Sequence, residues 1–316
     1  MSEADSAGAP SRLAVGVAFA AIYLIWGSTY LAIRFAIQTI PPFLMAGTRF
    51  ILAGGILYGL SRLRGDPQPA RIHWRSTAIV GGLMLLGGNG GVVWAEQRVA
   101  SGLSALLVAM APVWMVLLEW LQPGGIRPSR RTAVGLVLGL IGVTLLVDPW
   151  NLANTRVDLI GAAVLMVSSL CWATGSVCAH RVELPASPFL STAMEMLAGG
   201  VLLLAAGSIS GEWTRFRFDA ITLESVLAFG YLICFGSLVG FTAYIWLLGV
   251  TTLARLSTYA YVNPVVAMFL GWALAGEPVT LQTLLAAAVI VTAVVVIISR
   301  GKTRIGDEKI SRIEPG

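Results

Sequence analysis

The chain has 316 residues, of which 57% are hydrophobic and 12% charged, with a formal net charge of +5 and a mean hydropathy of +0.82. Soluble domains carry about 25% charged residues, so half that share cannot cover a water-exposed surface of this length. A soluble enzyme and a disordered chain are excluded, as is collagen, because the 35 glycines follow no three-residue period.

What remains is a polytopic membrane protein, and a spanning helix needs about 20 mostly apolar residues. Residues 1–12 are polar and lack the apolar run of a secretory signal, so no cleaved peptide is expected. Ten apolar runs follow, with cores at 13–33, 43–60, 77–95, 100–121, 132–147, 159–180, 188–207, 224–246, 253–274 and 280–298. With the N-terminus inside, 15 of the 21 basic residues fall in inner segments and five in outer ones, Arg49 lying within a helix. That bias places both termini in the cytoplasm, and an even number of crossings agrees with it. In a membrane protein basic residues mostly set orientation, so no nucleic-acid partner is expected. Cys171, Cys178 and Cys234 lie inside apolar runs and read as small buried hydrophobes rather than a disulfide framework.

In chain order, the first helix carries Trp26, Ser28, Thr29 and Tyr30, and the second carries Arg49 about two turns from its outer end. The third holds Asn89 within four glycines, which favour close helix packing, and ends at Glu96, read as an interfacial carboxylate with gating as the alternative. The fourth has Pro112 mid-span and Glu119 at its inner end; Gly135 and Gly139 in the fifth read as packing, including between protomers. The sixth holds Trp172 and Ser176, the seventh Glu195, the eighth Tyr244, and the ninth Tyr259, Tyr261, Asn263 and Pro264. Trp74, Trp120, Trp150 and Trp213 fit an interfacial belt.

Charges inside a span are costly and mark functional candidates. Arg49 and Glu195 are expected to face a central cavity and bind the carboxylate and amino group of a zwitterion. Trp26, Ser28, Thr29, Tyr30, Asn89, Trp172, Ser176, Tyr244, Tyr259 and Asn263 are expected to complete a mostly apolar binding pocket. Pro112 and Pro264 each remove a backbone hydrogen bond and are expected to act as hinges.

The sequence also repeats. Trp26 matches Trp172, and Pro42-Phe43-Leu44 matches Pro188-Phe189-Leu190, at one offset of 146. Gly87…Gly91 matches Gly236…Gly240, and Pro112 matches Pro264. The expected units are residues 1–150 and 151–316, the second ending in a cytoplasmic tail. Five helices per unit is odd, so the halves cross in opposite senses. The fold class is therefore all-α: ten transmembrane helices in two inverted five-helix repeats, a signature of secondary transporters.

Ile25-Trp26-Gly27-Ser28-Thr29-Tyr30, Pro41-Pro42-Phe43 through Arg49-Phe50, Gly88-Asn89-Gly90 with Ala95-Glu96, and Tyr259 to Val266 resemble an EamA-type permease of the drug/metabolite transporter superfamily. The resemblance covers about residues 13 to 298. It implies a bacterial inner-membrane exporter of amino acids, including aromatic ones, and related small metabolites, with a central cavity. The family often carries Gly-Glu after both the fourth and the ninth helix; here Gly276-Glu277 is present but Gly124-Gly125 stands at the first place. Glu277 is read as a loop or helix-start residue.

The reading is alternating access around the cavity, as a uniporter or a proton antiporter, with Glu195 or Glu96 indispensable if protons drive it. The rival readings are a multidrug exporter of cationic compounds and an intramembrane enzyme. No His-Glu-x-x-His helix and no Gly-x-x-x-x-Gly-Lys loop occurs, so neither metal nor cofactor is expected.

Overall fold

The structure, a computed structural model, describes residues 11–121, 127, 129–147, 158–251 and 258–298. Trp150, Gly124-Gly125, the boundary between 150 and 151 and the tail after 298 lie outside the described residues. Ten helical passes account for nearly all that is described, with no strand among those residues. They are α1 (Arg12–Ala36), α2 (Pro42–Leu63), α3 (Arg71–Ala95), α4 (Ser101–Trp120), α5 (Arg130–Val147), α6 (Leu159–Ala179), α7 (Pro188–Ile209), α8 (Leu223 to Val250), α9 (Tyr259–Ala275) and α10 (Leu281–Ile298). Seven of them are by themselves long and apolar enough to cross a membrane.

Their starts are written locally. The Ser11, Asp158, Ser187 and Thr222 side chains accept from backbone N–H groups in the first turns of α1, α6, α7 and α8, which supplies acceptors a helix start otherwise lacks. Pro42 and Pro188 stand at the first helical position, where their fixed φ suits the helix.

The two halves interlock. Helix α2 packs on its repeat mate α7, and α5 on α10. Off these self-paired contacts the pairings exchange: α1 lies on α9 and α6 on α4, while α3 lies on α6 and α7, and α8 on α1 and α2. Such exchange is what a twofold between the halves requires. Small residues permit the closeness. A Cβ on Gly81 would stand 2.5 Å from the Glu195 carbonyl oxygen, and one on Gly142 2.6 Å from Ile290. A Cβ on Gly139 would stand 3.0 Å from Met110, and Gly135 is buried, so this pair packs within the chain rather than between protomers. Gly81→Ala should lower the melting temperature in detergent, since overpacking typically costs about 1–3 kcal/mol. Gly59→Ala, where nothing lies within 4 Å, should leave it unchanged, and equal melting of both variants would contradict the packing described.

The repeat extends to irregularities. Gly82–Gly90 in α3 and Leu232–Val239 in α8 are π-helical, and they fall at corresponding places in the two halves. Wide turns of this kind are rare and frequent at functional sites. Pro112 does not merely kink α4: regular helix stops at Val108 and resumes at Ala111. The missing N–H of Pro112 frees the Val108 carbonyl, and Ser169 Oγ of α6 donates to it at 3.1 Å. Pro264 by contrast stays inside continuous α9.

The start of α1 and the end of α10 lie at one end of the bundle, here the terminal end; the α1–α2, α3–α4, α7–α8 and α9–α10 connections lie at the far end. Trp74, Trp120 and Trp213 are exposed near helix ends, as belt residues are. Cys171 and Cys178 are partly buried, but Cys234 is exposed, which corrects the expectation that all three are buried: it lies on an outward face of α8.

Candidate functional site

A cavity of about 290 Å³ lies between the halves. Its α6 wall is Ser168, Trp172, Ser176 and His180, a stripe repeating every four residues. At 1.5 Å per residue this is about 18 Å of helix, from mid-span to the terminal end. Toward the far end the lining stops at Ile33, Val92 and Ala105.

Trp26 organises the aromatic wall. Its ring lies 5.4 Å from Phe241, 5.1 Å from Tyr244 and 5.2 Å, edge-on, from Tyr259, within the range of favourable ring pairs. Its Nε1 donates to the Gly236 carbonyl at 3.3 Å, inside the π-helical stretch of α8. A Cβ on Gly240 would stand 2.5 Å from that Nε1, so the ring can seat only on glycine. On the other side, Gly88 leaves room for Trp172, 3.2 Å from where a Cβ would be.

Arg49 is 3% exposed and lines the cavity. Its Nε donates to Ser237 Oγ at 2.9 Å, and its guanidinium lies 4.9 Å over the Phe50 ring. Its Nη1 has no partner. Asn89 Oδ1 and Asn263 Oδ1, also in the lining, have none either. Buried polar groups are normally satisfied, and here three unpartnered atoms of opposite character line one cavity. One is a donor with positive charge and two are acceptors.

Of the residues expected here from the sequence, Trp26, Thr29, Tyr30, Arg49, Asn89, Trp172, Ser176, Tyr244, Tyr259, Asn263, Pro112 and Pro264 line this cavity together. Ser28 and Glu195 do not. Ser28 turns to a separate crevice with Tyr231, its Oγ donating to the Ile25 carbonyl and sharing a 2.6 Å hydrogen bond with Tyr231 Oη. Neighbours on a helix point about 100° apart, so Thr29 faces inward and Ser28 sideways. Glu195 stays near Tyr244 but accepts from Ser191 Oγ one turn back, at 2.9 Å. The sequence did not single out His180, Met84 or Met115 as lining residues; the four-residue stripe Ser168-Trp172-Ser176-His180 is the signal that finds the first of them.

Beyond the lining, at the far end, carboxylates tie helices together. Glu277 follows Gly276, whose φ of 62° closes α9, and is 6% exposed. Its Oε1 accepts from Ser101 N at 2.8 Å and its Oε2 from Gly102 N at 3.2 Å. Arg34 Nε, in the last turn of α1, lies 3.4 Å from Oε1. The helix start read for Glu277 is thus that of α4, 176 residues earlier in the chain. Glu212 does likewise for α2, accepting from Phe43 N at 3.2 Å and Leu44 N at 2.9 Å. At the terminal end its repeat mate Asp66 accepts from Ser187, the cap of α7, at 2.7 Å and from Ser61. Hydrogen bonds from Ser61 and Ser187 hold that carboxyl below its usual range.

Glu96 ends α3 as expected and is 2% exposed; neither carboxylate oxygen has a partner. It is within electrostatic reach of Tyr30, in the cavity lining, and of Glu277 and Arg34. Burial, with the Glu277 charge adding to it, pushes its carboxyl well above the usual range, and Arg34 pulls the other way.

The chain matches the EamA-like transporter family over residues 14–148 and again over 159–299. It is 40% identical over 279 residues to the uncharacterized inner membrane transporter YedA of Escherichia coli K12, covering 88% of each chain. It is 27% identical to the uncharacterized transporter YoaV of Bacillus subtilis 168, covering 85% of this chain and 91% of that one. A chloroplastic WAT1-related protein of Arabidopsis thaliana is 26% identical, with 86% and 66% covered. A solved crystal structure superposes with a TM-score of 0.62 at 21% identity, covering 91% of this chain and 98% of that one; at that identity it speaks to fold alone.

Proposed function

Since the chain belongs to the EamA-like transporter family, and is a multi-pass membrane transporter of that type, we propose that it exports small zwitterionic amphiphiles, aromatic amino acids foremost. The observation that carries this reading is the set of unpartnered polar atoms in an aromatic cavity. Arg49 Nη1 suits a carboxylate, Asn89 Oδ1 and Asn263 Oδ1 suit an ammonium group, and the rings of Trp26, Trp172, Tyr244 and Tyr259 suit a flat apolar side chain. Arginine presents a planar fork to a carboxylate.

In this reading both termini and the terminal end face the cytoplasm. The cavity then communicates toward the cytoplasm along the α6 stripe, and the carboxylate ties shut the outer side. Transport alternates between this state and one with the far end open, the halves rocking about the α2–α7 and α5–α10 contacts. A lone buried guanidinium in the cavity argues against cationic drugs as the principal cargo, because like charge would meet them.

The test is flux of labelled phenylalanine in proteoliposomes holding the purified protein. Saturable uptake, competed by tryptophan and not by a cationic dye, is the expected result. Competition by the dye and not by tryptophan would overturn it.

A further inference from the structure

Three groups at the far end are not used by the cavity: Glu96, Glu277 and Arg34. Two of them are acids and one is a base, all within electrostatic reach of one another. With both acids ionised the closed cluster would hold net charge −1, and Glu96 would be a buried carboxylate without a single donor. Burying an unpaired ion is far more costly than binding a proton. With one proton on Glu96 the cluster is neutral, and Glu277 keeps its hydrogen bonds to the start of α4 and its ion pair with Arg34. Other ionisable groups do not compensate. Arg98, in the same connection, stacks on Trp94 and reaches toward Asp158 at 3.7 Å. Arg49 of α2 is turned to Ser237. Tyr30 of α1, within electrostatic reach of Glu96, is a phenol in the cavity lining.

We infer that Glu96 is a proton-binding site, completed by Glu277 and Arg34, whose occupancy licenses closure of the far end. The proton arrives from the far side while that side is open and resides on a Glu96 carboxyl oxygen as the helix ends close over it. It leaves past Tyr30 into the cavity, toward the terminal end. The unprotonated cluster then favours reopening, which carries the loaded cavity to the far side. Each cycle moves one proton inward. This rests on the transport reading above and makes the carrier a proton antiporter rather than a uniporter.

Two measurements test it separately. The first needs no substrate: infrared pH titration of the purified protein, wild type against Glu96→Gln. A protonated-carboxyl band present at pH 7 in the wild type and missing from the variant is expected. Identical bands in the two proteins would overturn the proton site whatever the protein transports. The second uses labelled phenylalanine in proteoliposomes. Glu96→Gln, which stands in for the protonated acid and so favours the far-closed state, should slow gradient-free exchange but retain part of it, and should lose accumulation driven by a pH gradient altogether, which falls to the level of no gradient. Glu96→Asp should retain part of that accumulation. Undiminished gradient-driven accumulation in Glu96→Gln would overturn the coupling role, and so would equal loss of both modes in Glu96→Gln, since that is a structural defect. Absence of phenylalanine flux from the wild type would instead strike the substrate assignment and leave the infrared result to decide the site.

Discussion

Arg49→Ala should weaken phenylalanine binding about 10- to 100-fold and leave phenethylamine, which lacks the carboxylate, within about threefold of its wild-type affinity. A hydrogen bond to a charged group is worth about 1.5–3 kcal/mol, and each 1.4 kcal/mol is about tenfold. The difference between the two ligands matters more than either loss. Arg49 also donates to Ser237 and packs on Phe50, so its removal disturbs the cavity wall for any ligand. Only a carboxylate partner makes the loss ligand-specific. Arg49→Lys keeps the charge but not the fork and should fall between. Competition against labelled phenylalanine in detergent measures all of these, and parallel loss for both ligands would show that Arg49 only holds the wall.

Glu277→Ala should shift the protein toward the state open at the far end by roughly tenfold. The change strips two acceptors from the start of α4, and loss of a helix cap costs about 0.5–2 kcal/mol. It also leaves Arg34 unpaired, which adds little because Arg34 is partly exposed. A cysteine reporter at Ala105→Cys, in the lining just below the tie, reads the shift once the three native cysteines are replaced. A membrane-impermeant maleimide added at the far side should label it about ten times faster with Glu277→Ala than without. Unchanged labelling would mean that Glu277 caps α4 without closing anything.

Much of this architecture is legible in the sequence because it rests on length and composition. Apolar runs of spanning length are visible directly, and the offset of 146 between Trp26 and Trp172 exposes the duplication. The cavity could be assembled residue by residue because charge, amide and indole groups inside a span have few other uses. What could not be read is direction around a helix axis and contact across the chain. Ser28 and Thr29 are adjacent in sequence, yet one faces a crevice and the other the cavity. Glu195 finds a donor four residues away on its own helix, which no count of charges anticipates. Glu96 reads as an interfacial acid because it ends a helix; its burial, and its electrostatic coupling to Arg34 and Glu277, arise from residues far apart in sequence. The helix that Glu277 starts is α4, not the one that follows it, because the α9–α10 connection folds back onto the opposite half.

Among the described residues the ties at the two ends of the bundle are unequal. Gly65-Asp66 and Gly211-Glu212 are repeat mates, each clasping the start of a helix in the other half. Gly276-Glu277 has no such mate, since Gly125 stands where a second glutamate would be. Two states related by exchange of the halves would be equally populated if the halves were identical. A carboxylate tie at Glu277, with no glutamate at the matching sequence position 125, would then favour an empty carrier with its far door shut. In the orientation proposed above, that asymmetry would act as a check valve: the vacant protein would sample the cytosolic pool and stay closed to whatever had accumulated outside.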